Sequence, residues 1–254
     1  MKIVRANLIL GCTSLIVLSL MFVDISNAEL DLKTVVGMWH FDDDKGNTAE
    51  DSSDNSNDGI LVNSPKWTKN GKFGSALEFD GNESKSQVAV GDLGLSGTIT
   101  LILWANPNDA VNDDRLISNT SGPTNPAFAI RYQNGAVEIW GAAWKPVIPK
   151  FDNNKWGHYA FVFDGAGNVT GYYNGEKEDT VSDSYVFTEI GIGANFLDQW
   201  GQYYSGLFDE VAFFNVALTE ADIKVLMTKG FKSALAVYPA SKLTTTWGNI
   251  KANL

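Results

Sequence analysis

The chain holds one cysteine and two histidines in 254 residues. A single thiol closes no internal disulfide and builds no multi-thiolate metal site. The two histidines, His40 and His158, lie far apart and do not suggest a histidine-rich zinc centre. Positive charge is also scarce, with 19 Lys and Arg against 30 Asp and Glu, a net charge of −11. Such a chain repels phosphate backbones, so nucleic acid is not an expected partner. There is no G-x-S-x-G nucleophile elbow, no phosphate loop and no dinucleotide fingerprint. Internal repeats, long low-complexity linkers and a second composition zone are missing too. What is present is 24 glycines and 12% aromatic residues on a globular background of 44% hydrophobic residues. Many turns and much ring surface point to an all-β protein.

Residues 1–28 read as an address. Lys2 and Arg5 precede an almost wholly apolar run over 8–23, and Ser26-Asn27-Ala28 supplies small residues for cleavage after Ala28. That is the three-part secretory signal pattern. An uncleaved anchor is the competing reading, but the run is short for a full span. A lipid-modified Cys12 fits poorly, because the apolar segment continues beyond it. The expectation is a secreted, periplasmic or cell-surface protein with no membrane span after cleavage. Cleavage also removes the one cysteine, so stability must come from core burial, with bound metal as a further source.

Strand-like runs alternate with turn clusters along the rest of the chain. Strands are predicted over 35–41, 76–80, 87–90, 98–105, 115–118, 127–132, 136–140, 158–164, 169–173, 187–192 and 207–214, with a long polar loop over 42–59. In 98–105 both alternating faces are mostly apolar, as in a strand covered on both sides. Gln133-Asn134-Gly135 and Gly165-Ala166-Gly167 mark hairpins. One helix follows, capped by Thr219 with Asp222, apolar at Ile223, Leu226 and Met227, and ended by Gly230. The tail over 233–254 carries Leu243, Trp247, Ile250 and Leu254 at helical spacing, which suits docking on the domain or a partner, or a loosely docked terminus.

The motifs form an ordered series. Gly37-Met38-Trp39-His40-Phe41-Asp42 opens it; Asp51-Ser52-Ser53, Asn57-Asp58-Gly59, Gly71-Lys72-Phe73-Gly74 and Ala76-Leu77-Glu78-Phe79-Asp80-Gly81 follow. Trp156-Gly157-His158-Tyr159-Ala160, Phe163-Asp164-Gly165, Tyr173-Asn174-Gly175 and Gly206-Leu207-Phe208-Asp209-Glu210-Val211 complete it, with Ala217-Leu218-Thr219 leading into the helix. The series resembles the LamG-like jellyroll family of the concanavalin A-like lectin/glucanase architecture, over about residues 35–230. The resemblance implies a two-sheet antiparallel jellyroll sandwich with six or seven strands per sheet and one short C-terminal helix, occupying 29–232. It also implies an extracellular binding or adhesion module, often for glycans and often with calcium.

Three functional constellations follow. Calcium takes six to eight oxygen ligands, and Asp42, Asp51, Asn57, the Gly59 carbonyl and Asp209 could supply them where the first and last strands meet. The alternative is that Asp51 and Asn57 are ordinary turn residues. A loop rim of Asp109, Asn112, Asp113 and Asp114 with Asn195, Asp198 and Gln199 is a second oxygen-rich region. Glu78, Asp80 and Glu83 spell the E-x-D-x-x-E of laminarinase-type glycosidases, but the odd spacing of Glu83 turns it to the other strand face. Histidine catalysis lacks a partner, and His40 and His158 read as structural. Sugars stack on flat rings fixed by polar groups, which singles out Trp144 and, in the segment 198–204, Asp198, Trp200, Tyr203 and Tyr204. Trp104 and Trp140 read as core. The expected function is non-catalytic, lectin-like recognition of an extracellular glycan. Adhesion to a surface protein is one alternative and a polysaccharide-acting enzyme another; nothing in the sequence sets an oligomeric state.

Overall fold

The computed structural model describes residues 30–81, 85–108, 112–121, 127–193 and 202–236. Two antiparallel sheets of eight strands each stack face to face. The first runs in the order β14 (Glu176–Ser182), β13 (Asn168–Tyr173), β12 (Gly157–Asp164), β7 (Thr98–Pro107), β16 (Ser205–Phe214), β5 (Ala76–Asp80) and β4 (Lys66–Thr68). β1 (Val35–Trp39) joins it alongside β16. The second runs β11 (Trp144–Ile148), β10 (Ala136–Trp140), β9 (Ala129–Gln133), β8 (Asn112–Asn119), β15 (Glu189–Ile192), β6 (Gln87–Asp92), β3 (Gly59–Val62) and β2 (Thr48–Ala49). This is the expected all-β sandwich, with more strands per sheet than anticipated.

Alternation builds the core. Ile99, Leu101, Leu103 and Ala105 of β7 meet Ile130 and Tyr132 of β9, Val137 and Ile139 of β10, and Ile190 and Ile192 of β15 between the sheets. The other face of β7 is buried as well. Ile102 packs with Ala160, Ala212 and Phe214 under Ile223, Leu226, Phe231 and Leu235 of the helix α1 (Glu220–Ala236). The centre of the first sheet is thus covered on both faces, whereas no helix among the described residues covers the outer face of the second.

Thr219 and Asp222 form the predicted reciprocal cap: Asp222 N–H donates to Thr219 Oγ1 at 3.2 Å, and Thr219 N–H to Asp222 Oδ2 at 3.0 Å. Gly230, with φ +69° and ψ 161°, is non-helical and ends the first helical run as expected. The chain resumes helical turns to Ala236 because Glu210 Oε2 accepts the Phe231 N–H at 2.5 Å, acting as a cap from a neighbouring strand.

Five strands were hidden in the sequence, one of them the three-residue β4. β2 lies within the polar stretch 42–59 and β3 starts at its end, and both are too short to show a period. β11 contains Pro146, which demotes a strand signal but is tolerated at an edge. β14, Glu-Lys-Glu-Asp-Thr-Val-Ser, is an edge strand whose charges keep other chains from pairing with it.

The polar loop after β1 has a structural task. Ser52 N–H donates to Met38 O at 2.7 Å, while Asn55 and Asn57 side chains donate to Val35 O and Val36 O, each at 2.8 Å. The loop therefore satisfies the edge of β1 that no strand pairs. Asp51 holds it there: Oδ1 accepts from Met38 N at 2.8 Å and Ser53 N at 2.9 Å. Oδ2 accepts from Asn57 N at 2.8 Å and Ser53 Oγ at 2.7 Å. An Asp51→Ala variant strands three backbone donors, and the expected loss is about 3 kcal/mol of unfolding free energy. A urea titration showing no loss would overturn this role.

Candidate functional site

The open outer face of the second sheet carries a dense polar-aromatic cluster. The Asn134-Gly135 turn pairs Glu138 with Arg131 across β9 and β10, and Arg115 of β8 faces Arg131 from the other side. Because Ile130, Tyr132, Val137 and Ile139 point inward, these three side chains point outward. Arg131 is gripped from both flanks. Its Nε and Nη2 donate to Glu138 Oε2 at 2.9 and 2.7 Å, and Nη1 donates to Asp113 Oδ1 at 2.8 Å. Arg115 shares that Asp113 oxygen at 2.6 Å and donates through Nη2 to Gln202 Oε1 at 2.6 Å. Gln202 in turn donates to the second Asp113 oxygen. Burial lowers the Arg115 guanidinium to about 10 against the pull of Asp113, so it is still a cation at neutral pH.

Trp144, the first residue of β11, lies across this ionic floor. The Arg131 guanidinium is 3.8 Å and that of Arg115 4.5 Å from its ring centroid. The two arginines are cross-strand neighbours that share Asp113, and both guanidinium groups lie against the indole. Trp140 pairs with Trp144 across β10 and β11, ring centroids 5.3 Å apart. Both indoles are partly exposed. The result is a two-ring platform locked by a charge-balanced network. Trp144 was expected in a loop and Trp140 in the core; both sit on a strand and face outward.

The other expected ring positions divide. Tyr203 and Tyr204 are buried, at 2% and 0% exposure, and are not part of a surface groove. Tyr204 stacks on Phe208 at 4.1 Å and donates its hydroxyl to Leu207 O at 3.1 Å, which fills the core end left by Phe79. Tyr203 makes a parallel bridge to Arg115 that brings Gln202 to the arginines. Asp198 and Trp200 lie outside the described residues, as do Asp109, Asn195 and Gln199. Arg115, Arg131, Glu138 and Gln202 were missed. The signal was available for Arg131 and Glu138: opposite charges alternating with apolar residues on either side of an Asn-Gly turn.

The five expected calcium ligands do not assemble. Asp51 spends both oxygens on four donors of its own loop, and Asn57 is held by β1. Gly59 opens β3 close against Val88, where a Cβ would stand 2.5 Å from a Val88 methyl. Asp42 Oδ1 accepts from Ser75 N and Asp209 Oδ2 from Phe73 N, both at 2.8 Å, so these two hold the turn at 73–75 rather than the loop 51–58. The second Asp209 oxygen, Oδ1, is buried with no hydrogen-bond partner. Among the described residues no group of three or more His, Cys, Asp or Glu side chains is placed to hold a metal ion.

Glu78 and Asp80 are exposed on β5, on the outer face of the first sheet and away from the Trp144 platform. Glu83 lies outside the described residues. His158 and Asp209 flank Trp104 in register on β12, β7 and β16. Phe73 and the Lys72 ammonium cover Trp104, with the ammonium 4.3 Å from the ring centroid. Both His158 and Asp209 are fully buried, and neither His158 nitrogen has a hydrogen-bond partner. Burial, helped by Lys72, holds the His158 imidazole down at about 3. Burial pushes the Asp209 carboxyl up to about 8 despite the Phe73 N–H. At pH 7 both are neutral spacers under a lid, which suits packing and not acid-base work.

A family model described as the concanavalin A-like lectin/glucanases superfamily matches residues 80–224. The chain belongs to this superfamily. Among solved structures of similar fold is domain 4 of AbnA, an extracellular arabinanase from Geobacillus stearothermophilus solved with arabinotriose. It is 21% identical over 77% of this chain and 98% of that one, with a TM-score of 0.62. The binding domain of botulinum neurotoxin serotype D/C is 15% identical, with a TM-score of 0.59 over 77% of this chain and 52% of that one. A Trypanosoma rangeli sialidase is 14% identical, with a TM-score of 0.62 over 77% of this chain and 32% of that one. The chain thus spans nearly the whole arabinanase domain, half of the toxin domain and a third of the sialidase. At these identities the likeness is one of fold. No curated protein matches the chain in sequence. No helix among the described residues is long and apolar enough to cross a membrane.

Proposed function

We propose that the protein is a non-catalytic, lectin-like module that binds a neutral glycan on the outer face of its second sheet. The observation that carries this is the Trp140–Trp144 platform fixed over Arg131 and Arg115. Sugar rings present flat apolar faces and a rim of hydroxyls. Preorganised indoles meet the former; the partly exposed edges of Arg131, Glu138 and Gln202 meet the latter. Two guanidinium groups are matched by Asp113 and Glu138, so the site favours an uncharged ligand over a phosphate or carboxylate. The similar arabinanase domain was solved with arabinotriose, which makes arabino-oligosaccharides the first ligands to try. Non-catalytic binding agrees with the separation of Glu78 and Asp80 from this face. Export, expected from residues 1–28, belongs to the same proposal, since glycans of this kind are met outside the cell. The test is calorimetric titration of the protein with neutral oligosaccharides of several chemistries, paired with a Trp144→Ala variant. Binding that survives the loss of Trp144 unchanged would remove the reading.

A further inference from the structure

Asp183 and Ser184 have two neighbours. On one side they hold the turn between Trp140 and Trp144. Ala143 N–H donates to Asp183 Oδ2 at 3.3 Å, and Lys145 Nζ pairs with the same oxygen at 3.1 Å. Gly141 comes so close that a Cβ there would stand 2.4 Å from the Ser184 carbonyl oxygen. On the other side the same two residues line a cleft of about 520 Å³ at the end of the sandwich. That volume lies within the range of about 300–1,000 Å³ common to small-molecule sites.

The lining has a definite chemistry. Phe163, Tyr185 and Phe187 contribute aromatic surface; Phe163 meets the other two edge-on at 5.2 and 5.3 Å. Two neighbouring turns form one wall, 95–97 before β7 and 165–167 between β12 and β13. They show peptide edges rather than side chains. Gly165 and Gly167 have φ of +76° and +98°, and a Cβ at Gly165 would lie 3.1 Å from the Gly97 carbonyl carbon. Asp183 is the one charged residue in the lining, and Lys145 neutralises it. Rings, peptide donors and acceptors, and no net charge make a receptor for a neutral polyhydroxylated ring, not for an anion.

We propose that this cleft seats an end residue of the oligosaccharide whose following residues lie on Trp144, so that the site reads a chain end as well as its length. This rests on the reading of the Trp144 face as a glycan site. The turn 141–143 joins the two surfaces at Asp183 and Ser184.

The experiment is calorimetry with linear arabino-, xylo- and gluco-oligosaccharides of two to six residues. Three proteins are compared: the unsubstituted chain, Ala166→Phe and Trp144→Ala. Ala166 is exposed at the rim of the cleft and gives its N–H to Asp164 Oδ1 at 2.7 Å, a bond that phenylalanine keeps. Ser96→Trp, from the neighbouring turn, is the second blocking variant. Longer chains are expected to bind the unsubstituted protein at least tenfold more tightly than the disaccharide. Either blocking variant should erase that gain and leave the disaccharide unchanged, while Trp144→Ala weakens every length. Blocking variants that bind all lengths as the unsubstituted protein does overturn the cleft and leave the Trp144 reading standing. Absence of binding by the unsubstituted protein at any length overturns both. Circular dichroism of each variant confirms folding before titration.

Discussion

Replacing His158 by phenylalanine makes the domain grow more stable from pH 6.5 to pH 4, where the unsubstituted protein stays level. The two buried groups beside Trp104 produce this result with opposite signs. His158 titrates at about 3 in the folded chain against 6.5 ordinarily. Its contribution is complete above pH 6.5 and is lost as pH falls towards 3. Asp209 titrates at about 8 when folded against 3.8 ordinarily. Its contribution is complete below pH 3.8 and is lost as pH rises towards 8. Between these windows the folded chain holds one proton on Asp209 and the unfolded chain one on His158, so the two slopes cancel. Removing His158 leaves the Asp209 slope alone, about 1.4 kcal/mol per pH unit. Asp209→Asn leaves the His158 slope and a loss of the same size on acidification. Phenylalanine keeps the edge-on contact with Trp104, where the rings are 5.1 Å apart, and forfeits no hydrogen bond, since neither imidazole nitrogen makes one. The nearby charges on Lys72, Asp42 and Glu210 are common to all three proteins. Equal slopes for the three in urea titrations from pH 4 to 8 would sink the assignment.

How far the sequence carried the fold follows from the same packing. β7, β12 and β16 show on the page because both or one of their faces are built from Leu, Ile, Phe and Val. The helix shows because Thr219 and Asp222 cap it within three residues. β14 and β11 did not show, because a charged edge strand and a strand with proline lack the apolar alternation that marks an interior one. The site was half visible for a related reason. Trp144 stood out as a ring just past a strand end, yet what makes it a platform is Arg131 and Arg115, brought to it by sheet order β8-β9-β10-β11. No local pattern encodes that order. Tyr203 and Tyr204 misled because aromatic residues beside glutamine and glycine look like a loop, whereas Phe79 and Phe208 leave a space that Tyr204 fills. Asp51 misled in the opposite way. An Asp-Ser-Ser turn offers the same oxygens to a metal or to its own backbone, and the edge of β1 decides for the backbone.

Trp144→Ala carries the other large effect, and it falls on binding rather than on folding. The indole backs onto guanidinium groups whose charges are already matched by Asp113 and Glu138, so its removal costs the free protein about 1 kcal/mol of cation–π contact. Its outer face is the part offered to ligand. A central aromatic anchor is commonly worth 2 kcal/mol or more, so affinity for a neutral oligosaccharide is expected to fall about thirtyfold. Trp144→Phe keeps a flat ring and should recover most of it. Salt separates this from a charge-driven site: binding by stacking and neutral hydrogen bonds holds its affinity from low salt to 0.5 M, where contacts between exposed charges are screened. Glu138→Gln extends the same argument. It frees part of the Arg131 charge, which strengthens binding of an acidic glycan and leaves a neutral one within a few-fold. An acidic oligosaccharide that binds better to Glu138→Gln, and loses affinity with salt, would move the ligand class from neutral to anionic while keeping Trp144 at its centre.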